Sequence, residues 1–129
     1  KPNLLTDTGR DYAIAQFYTN TSAGGVGCNF IALTSDSTGA DATDTTLPSE
    51  ITTTGLERAL ATTISHSTGT NSTTLNKIFT ASGTHTAVQM SGTFNQLAVG
   101  GTLAHESVFT SVTLASSDTL SVTWTLTLG

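Results

Sequence analysis

Leu120-Ser121-Val122-Thr123-Trp124-Thr125-Leu126-Thr127-Leu128 decides the fold of this chain. Apolar and hydroxyl side chains alternate without a break for nine residues. A period of two puts Leu120, Val122, Trp124, Leu126 and Leu128 on one face, with Ser121, Thr123, Thr125 and Thr127 on the other. That is a strand with one buried face and one wet face. The wet face carries hydroxyls instead of charges.

The same economy holds along the whole chain. More than one residue in five is threonine, and only 10% are charged. Threonine is β-branched and stiff at χ1, so it suits a pleated surface better than a helix. The 36% hydrophobic fraction is low, and the threonine methyl groups make up part of the deficit. At 129 residues the chain is long enough for one domain. A domain of this size buries roughly two thirds of its unfolded surface.

Upstream of the quoted stretch, turn signals separate further strand-like runs. Cys28 to Thr34 reads as a buried strand, with Cys28 a small core hydrophobe beside Phe30. Leu56 to His66, Leu75 to Ala81 and Thr84 to Met90 follow. Gly92 to Gly101 reads as a turn with an apolar interlude at Leu97 to Val99. Leu103 to Phe109 and Val112 to Leu114 complete the set. Short strands at this spacing predict an all-β antiparallel sandwich, jelly-roll-like or Greek-key. Residues 7–19 predict one short helix, capped by Asp7 or Thr8, with Asp11 in its first turn and Ile14, Phe17 and Tyr18 on one face. Lys1 to Thr6 lacks packing signals and reads as an extended arm. Ser35 to Pro48 is a long polar loop, of the kind that is mobile or functional.

The net charge of −5 and the pI near 4.7 disfavour nucleic acid, whose phosphates need Lys and Arg, and equally an anionic membrane surface. The basic residues are Lys1, Arg10, Arg58 and Lys77. A lone cysteine forms no disulfide within the chain. No apolar run approaches the ~20 residues of a membrane-spanning helix.

Catalytic and metal patterns are weak. His66, His85 and His105 show no metal-ligand spacing, and His105-Glu106 lacks the second histidine of a zinc-protease helix. Asp36, Asp41 and Asp44 share the long loop, where oxygen ligands could gather Ca²⁺. Their spacing is not that of an EF-hand, and turn-capping is the favoured role. No Gly-x-Ser-x-Gly elbow occurs. Gly24-Gly25-Val26-Gly27 lacks the Lys-Ser/Thr of a phosphate loop. Asn20-Thr21-Ser22 and Asn71-Ser72-Thr73 match the glycosylation pattern, as chance allows in so hydroxyl-rich a chain. The reading is a non-enzyme without a cofactor.

Thr84-His85-Thr86-Ala87-Val88-Gln89-Met90, Gly100-Gly101-Thr102-Leu103-Ala104, Val108 to Leu114 and Ser117 to Trp124 together resemble a group of small tailed-bacteriophage virion proteins. Phe30 to Thr34, Asp44 to Leu47, Glu57-Arg58-Ala59 and Thr8-Gly9-Arg10-Asp11 fit the same pattern. Gln89 stands where an acidic residue is expected, and Ser117-Asp118 where Gly-Asp is usual. The resemblance implies a structural component of a virion. The expected role is a capsid decoration, or cement, protein that binds the major capsid protein on the head surface as a homotrimer. The alternative is a tail or fibre component that binds a host receptor. The expected partner contacts are Lys1, Pro2, Asn3, Leu4 and Leu5 of the arm and Asp36, Asp41 and Asp44 of the loop.

Overall fold

The computed structural model describes residues 3–21 and 27–128. Seven strands form two antiparallel sheets, as the alternating patterns predict. The strands are β1 (Phe30–Thr34), β2 (Ala59–Leu60), β3 (Thr63–His66), β4 (Ser72–Thr80), β5 (His85–Phe94), β6 (Leu103–Leu114) and β7 (Thr119–Thr127). One sheet has the order β2-β1-β5-β6 and the other β3-β4-β7.

The sheets meet face to face. Ile31, Leu33, Val88 and Leu114 of the first sheet bury against Leu75, Phe79, Val122 and Leu126 of the second. In β7 the alternation is realised residue by residue: Val122 and Leu126 are buried, Leu120 and Trp124 half-buried, and every intervening Thr and Ser exposed. Trp124 Nε1 donates to Ser91 Oγ at 3.1 Å, and Ser91 donates to the Ala32 carbonyl at 2.9 Å. This polar thread ties the two sheets together across the apolar core.

The first sheet is covered on its other face as well. Ala32, Met90 and Phe94 form a second small core with Leu47 from the long loop. That explains why β1 is a continuous apolar run: both of its faces are buried. The loop is pinned where it returns, because Thr34 Oγ1 donates to the carbonyls of Pro48 (2.6 Å) and Ser49 (3.1 Å).

Several boundaries differ from those expected. The run from Leu56 to His66 is two strands in different sheets, not one. Ala61 N–H bonds the Asn29 carbonyl beside the first sheet, while Thr62 N–H bonds the Asn76 carbonyl in the second. The chain therefore changes sheet within two residues, and the alternation breaks at the corner: Ala61 is buried, while Leu60, Thr62 and Thr63 are exposed. β5 runs on to Phe94, so the turn starts only at Asn95. Leu103 to Leu114 is one strand, with pairing irregularities against β5 in place of the expected gap.

The helix also departs from its expected form. The α-helix α1 spans Asp7–Ile14, capped by Thr6, whose Oγ1 accepts from Gly9 N at 3.1 Å. Ala15–Thr19 continues as a π-helical turn closed by Asn20 N donating to the Ala15 carbonyl at 2.9 Å. The extra residue in that turn separates Phe17 from the buried stripe. Ile14 and Tyr18 are buried, while Phe17 is 41% exposed. Asp11 does not serve the helix's first turn. It accepts from Gly69 N (2.8 Å) and bonds His66 Nε2 (2.8 Å), docking the helix on the β3–β4 hairpin.

Candidate interaction surface

Among the described residues, a chain with few charged side chains buries one Arg–Glu ion pair. The side chains of Arg58 and Glu50 are 3% and 7% exposed, with Nε–Oε2 at 2.9 Å and Nη2–Oε1 at 2.6 Å. This is the two-pronged geometry in which guanidinium and carboxylate bond best. The spare Nη1 donates to three carbonyls of the β5–β6 loop: Gln96 (3.1 Å), Ala98 (2.8 Å) and Gly100 (2.9 Å). The guanidinium carbon lies 3.6 Å from the centre of the Phe94 ring. Asn95 Oδ1 accepts from Thr102 N at 2.8 Å and closes the loop at its base. Gly100 and Gly101 take positive φ (107° and 77°), as a chain turning this tightly requires.

The loop is therefore fixed from beneath, and it projects apolar side chains outward. Leu97 is 60% exposed and Val99 69%. The sequence marked the apolar interlude but not Arg58 as its anchor. The available signal was an Arg and a Glu eight positions apart in a chain with few charges.

The arm contributes further exposed apolar groups. Lys1 and Pro2 lie outside the described residues. Asn3, Leu4 and Leu5 precede the helix without regular structure, and Leu4 is 87% exposed.

The three loop aspartates divide between two roles. Asp36 Oδ1 accepts from Thr38 N (2.8 Å) and Thr38 Oγ1 (2.5 Å). Asp41 Oδ1 accepts in the same way from Thr43 N (2.8 Å) and Oγ1 (2.7 Å). Both carboxyls are held below their usual pKa, Asp36 chiefly by the Thr38 hydroxyl and Asp41 chiefly by the Thr43 amide. These are turn caps. Asp44 instead lies with Asp41, His105 and Glu106 around a polar recess of about 280 Å³. There Glu106 titrates above its ordinary value, first through burial and then through the neighbouring Asp44 carboxylate. Asp36 is not part of this recess. Among the described residues, no three His, Cys, Asp or Glu side chains are arranged to hold a metal ion.

The histidines stay apart, each with its own partner. His66 bonds Asp11 and the Ser72 carbonyl. His85 bonds the Thr54 hydroxyl at 2.7 Å. His105 bonds Tyr18 OH at 3.0 Å, within a cluster of rings that includes Phe17 and Trp124. Burial lowers the pKa of His105 and raises those of Tyr18 and Cys28. Sequence reading missed this cluster because its members come from the helix and two different sheets. No family model, curated protein or solved structure matches the chain.

Proposed function

We propose that this chain is a bacteriophage virion structural protein, a capsid decoration protein that binds the major capsid protein on the surface of the assembled head. The observation that carries the reading is the loop bearing Leu97 and Val99, held rigid by the buried Arg58–Glu50 pair. Apolar side chains presented without conformational freedom lose little entropy when a partner covers them. Exposed Leu4 and Leu5 supply a second apolar element on an extended segment suited to a groove. The mechanism is mass action. A protein that binds only the assembled shell stabilises it by RT ln(1 + [L]/Kd), with no chemical step.

The test is occupancy on purified shells. Deleting the residues before Thr6, or substituting Leu97→Asp and Val99→Asp together, is expected to lower occupancy while the fold is retained. Undiminished occupancy in both variants would remove the reading.

A tail or fibre component that binds a host polymer is the second reading, and exposed Tyr12 favours it. Tyr12 is 68% exposed and so offers ring surface to a sugar. Phe94 does not contribute, since it is buried beneath Arg58.

A further inference from the structure

The two sheets have four edge strands, and three of them are protected against pairing with another chain. β2 is two residues long. β3 is four residues long, and Asp11 of the helix is bonded to its His66. β6 shifts register three times against β5, and such irregularities twist an edge out of line. β7 has none of these features. It pairs with β4 from Ser72↔Thr127 to Thr80↔Thr119 without a shift. It contains no proline and no charged residue, and its outer edge has no strand partner among the described residues.

Its sequence is also nearly a palindrome. Thr119-Leu120-Ser121-Val122-Thr123-Trp124-Thr125-Leu126-Thr127 reads almost the same from either end about Thr123. Antiparallel pairing with an identical strand, centred there, sets Thr119 against Thr127, Leu120 against Leu126, Ser121 against Thr125 and Val122 against Trp124. Hydroxyls meet hydroxyls on the outer face, and apolar side chains meet apolar side chains on the inner one. From Ser107 to Leu128 the only charge is Asp118, which accepts from Ala115 N at 2.8 Å. This flank therefore lets one copy of an acidic chain approach another without opposing like charges. A shallow slot of about 250 Å³ opens on the same flank, lined by Phe109, Leu120 and Val122.

We infer that β7 is a self-complementary docking edge, on which two copies of this chain pair antiparallel about Thr123. The three-stranded sheet then continues across a twofold axis as six strands, and the second copy covers the slot. An isologous contact of this kind closes on itself and stops at two copies. The pairing does not depend on the virion reading, because it belongs to the purified chain.

Sedimentation equilibrium of the purified protein is expected to show a reversible dimer. Thr123→Lys puts two cations directly opposite each other on the twofold axis and is expected to weaken association by about tenfold or more. Ser65→Lys, on the outer face of the far edge strand, is expected to leave the dimer unchanged. Thr123→Cys is expected to crosslink between copies with a short bifunctional thiol reagent, since directly opposed Cβ atoms lie about 4.5–5.5 Å apart, somewhat beyond the span of a disulfide. The crosslink keeps the test decisive if the Lys variant misfolds. A wild-type chain that is monomeric or trimeric at every concentration, or a T123C dimer that does not crosslink, overturns the inference.

Discussion

Arg58 makes five side-chain hydrogen bonds and connects three separate parts of the structure. It neutralises Glu50, covers Phe94 and holds three loop carbonyls. Removing one member of a buried pair leaves the other charge without compensation, at a cost of about 3–5 kcal/mol. Arg58→Met is therefore expected to lower the unfolding free energy by about that much in urea titration, and Arg58→Met with Glu50→Gln by distinctly less. Equal losses in the single and double variants would contradict the role assigned to the pair. Two histidines act in opposite directions with pH. The Ser72 carbonyl first, and then Asp11, raise the pKa of His66 above its ordinary 6.5. Its contribution is complete below pH 6.5 and is lost as pH rises through the raised value. Burial lowers the pKa of His105, so the folded state resists its protonation and loses stability as pH falls below 6.5. Unfolding followed from pH 5 to 8 is expected to show the high-pH loss diminished in His66→Gln and the low-pH loss diminished in His105→Gln. None of these roles was legible in the sequence. Each depends in part on a partner brought from tens of residues away (the loop carbonyls for Arg58, Asp11 for His66, Tyr18 for His105), and a lone Arg or His carries no local signature of such a contact.

Among the elements, β7 was the most legible, and the Leu56 to His66 run, which divides into β2 and β3, the least. Strict alternation over nine residues has one solution on a sandwich, and the structure adopts it. The helix was placed correctly, but its cap shifted to Thr6 and its last turn widened. Burying both Ile14 and Tyr18 on the sandwich while Phe17 stays at the surface is a tertiary demand that helical spacing does not encode. The long loop was read as polar and either mobile or functional, yet Leu47 is 4% exposed and packs under β1 with Ala32 and Met90. Leu47→Ala is expected to cost about 2–5 kcal/mol and to raise amide hydrogen exchange in β1 and the loop together. Unchanged exchange in β1 would show that the loop is not a covering layer. Gly55 is a second critical point in the connections. With φ at 90°, it lies so close to β4 that a Cβ there would collide with the Thr80 carbonyl. Gly55→Ala is expected to lower the melting temperature, and an unchanged value would count against that close approach.

For the whole molecule, charge has a consistent placement. Arg10 is paired with Asp7, Arg58 with Glu50, and Lys77 lies over Phe79, while carboxylates cap turns or gather at the Glu106 recess. The outer face of the β3-β4-β7 sheet is left to hydroxyls, Asn76 and Ile78. Composition made that economy legible from the start. It did not reveal the rigid apolar loop, because rigidity there comes from Arg58 far upstream in sequence. A surface of fixed apolar groups and neutral sheet is suited to lasting contact with other protein, which supports the proposed assignment of the chain to the shell of a phage head. Quantitative mass spectrometry of purified virus particles, with this chain counted against the major capsid subunit, tests that assignment most directly. Hundreds of copies per particle are predicted, and a handful, or none, would contradict it.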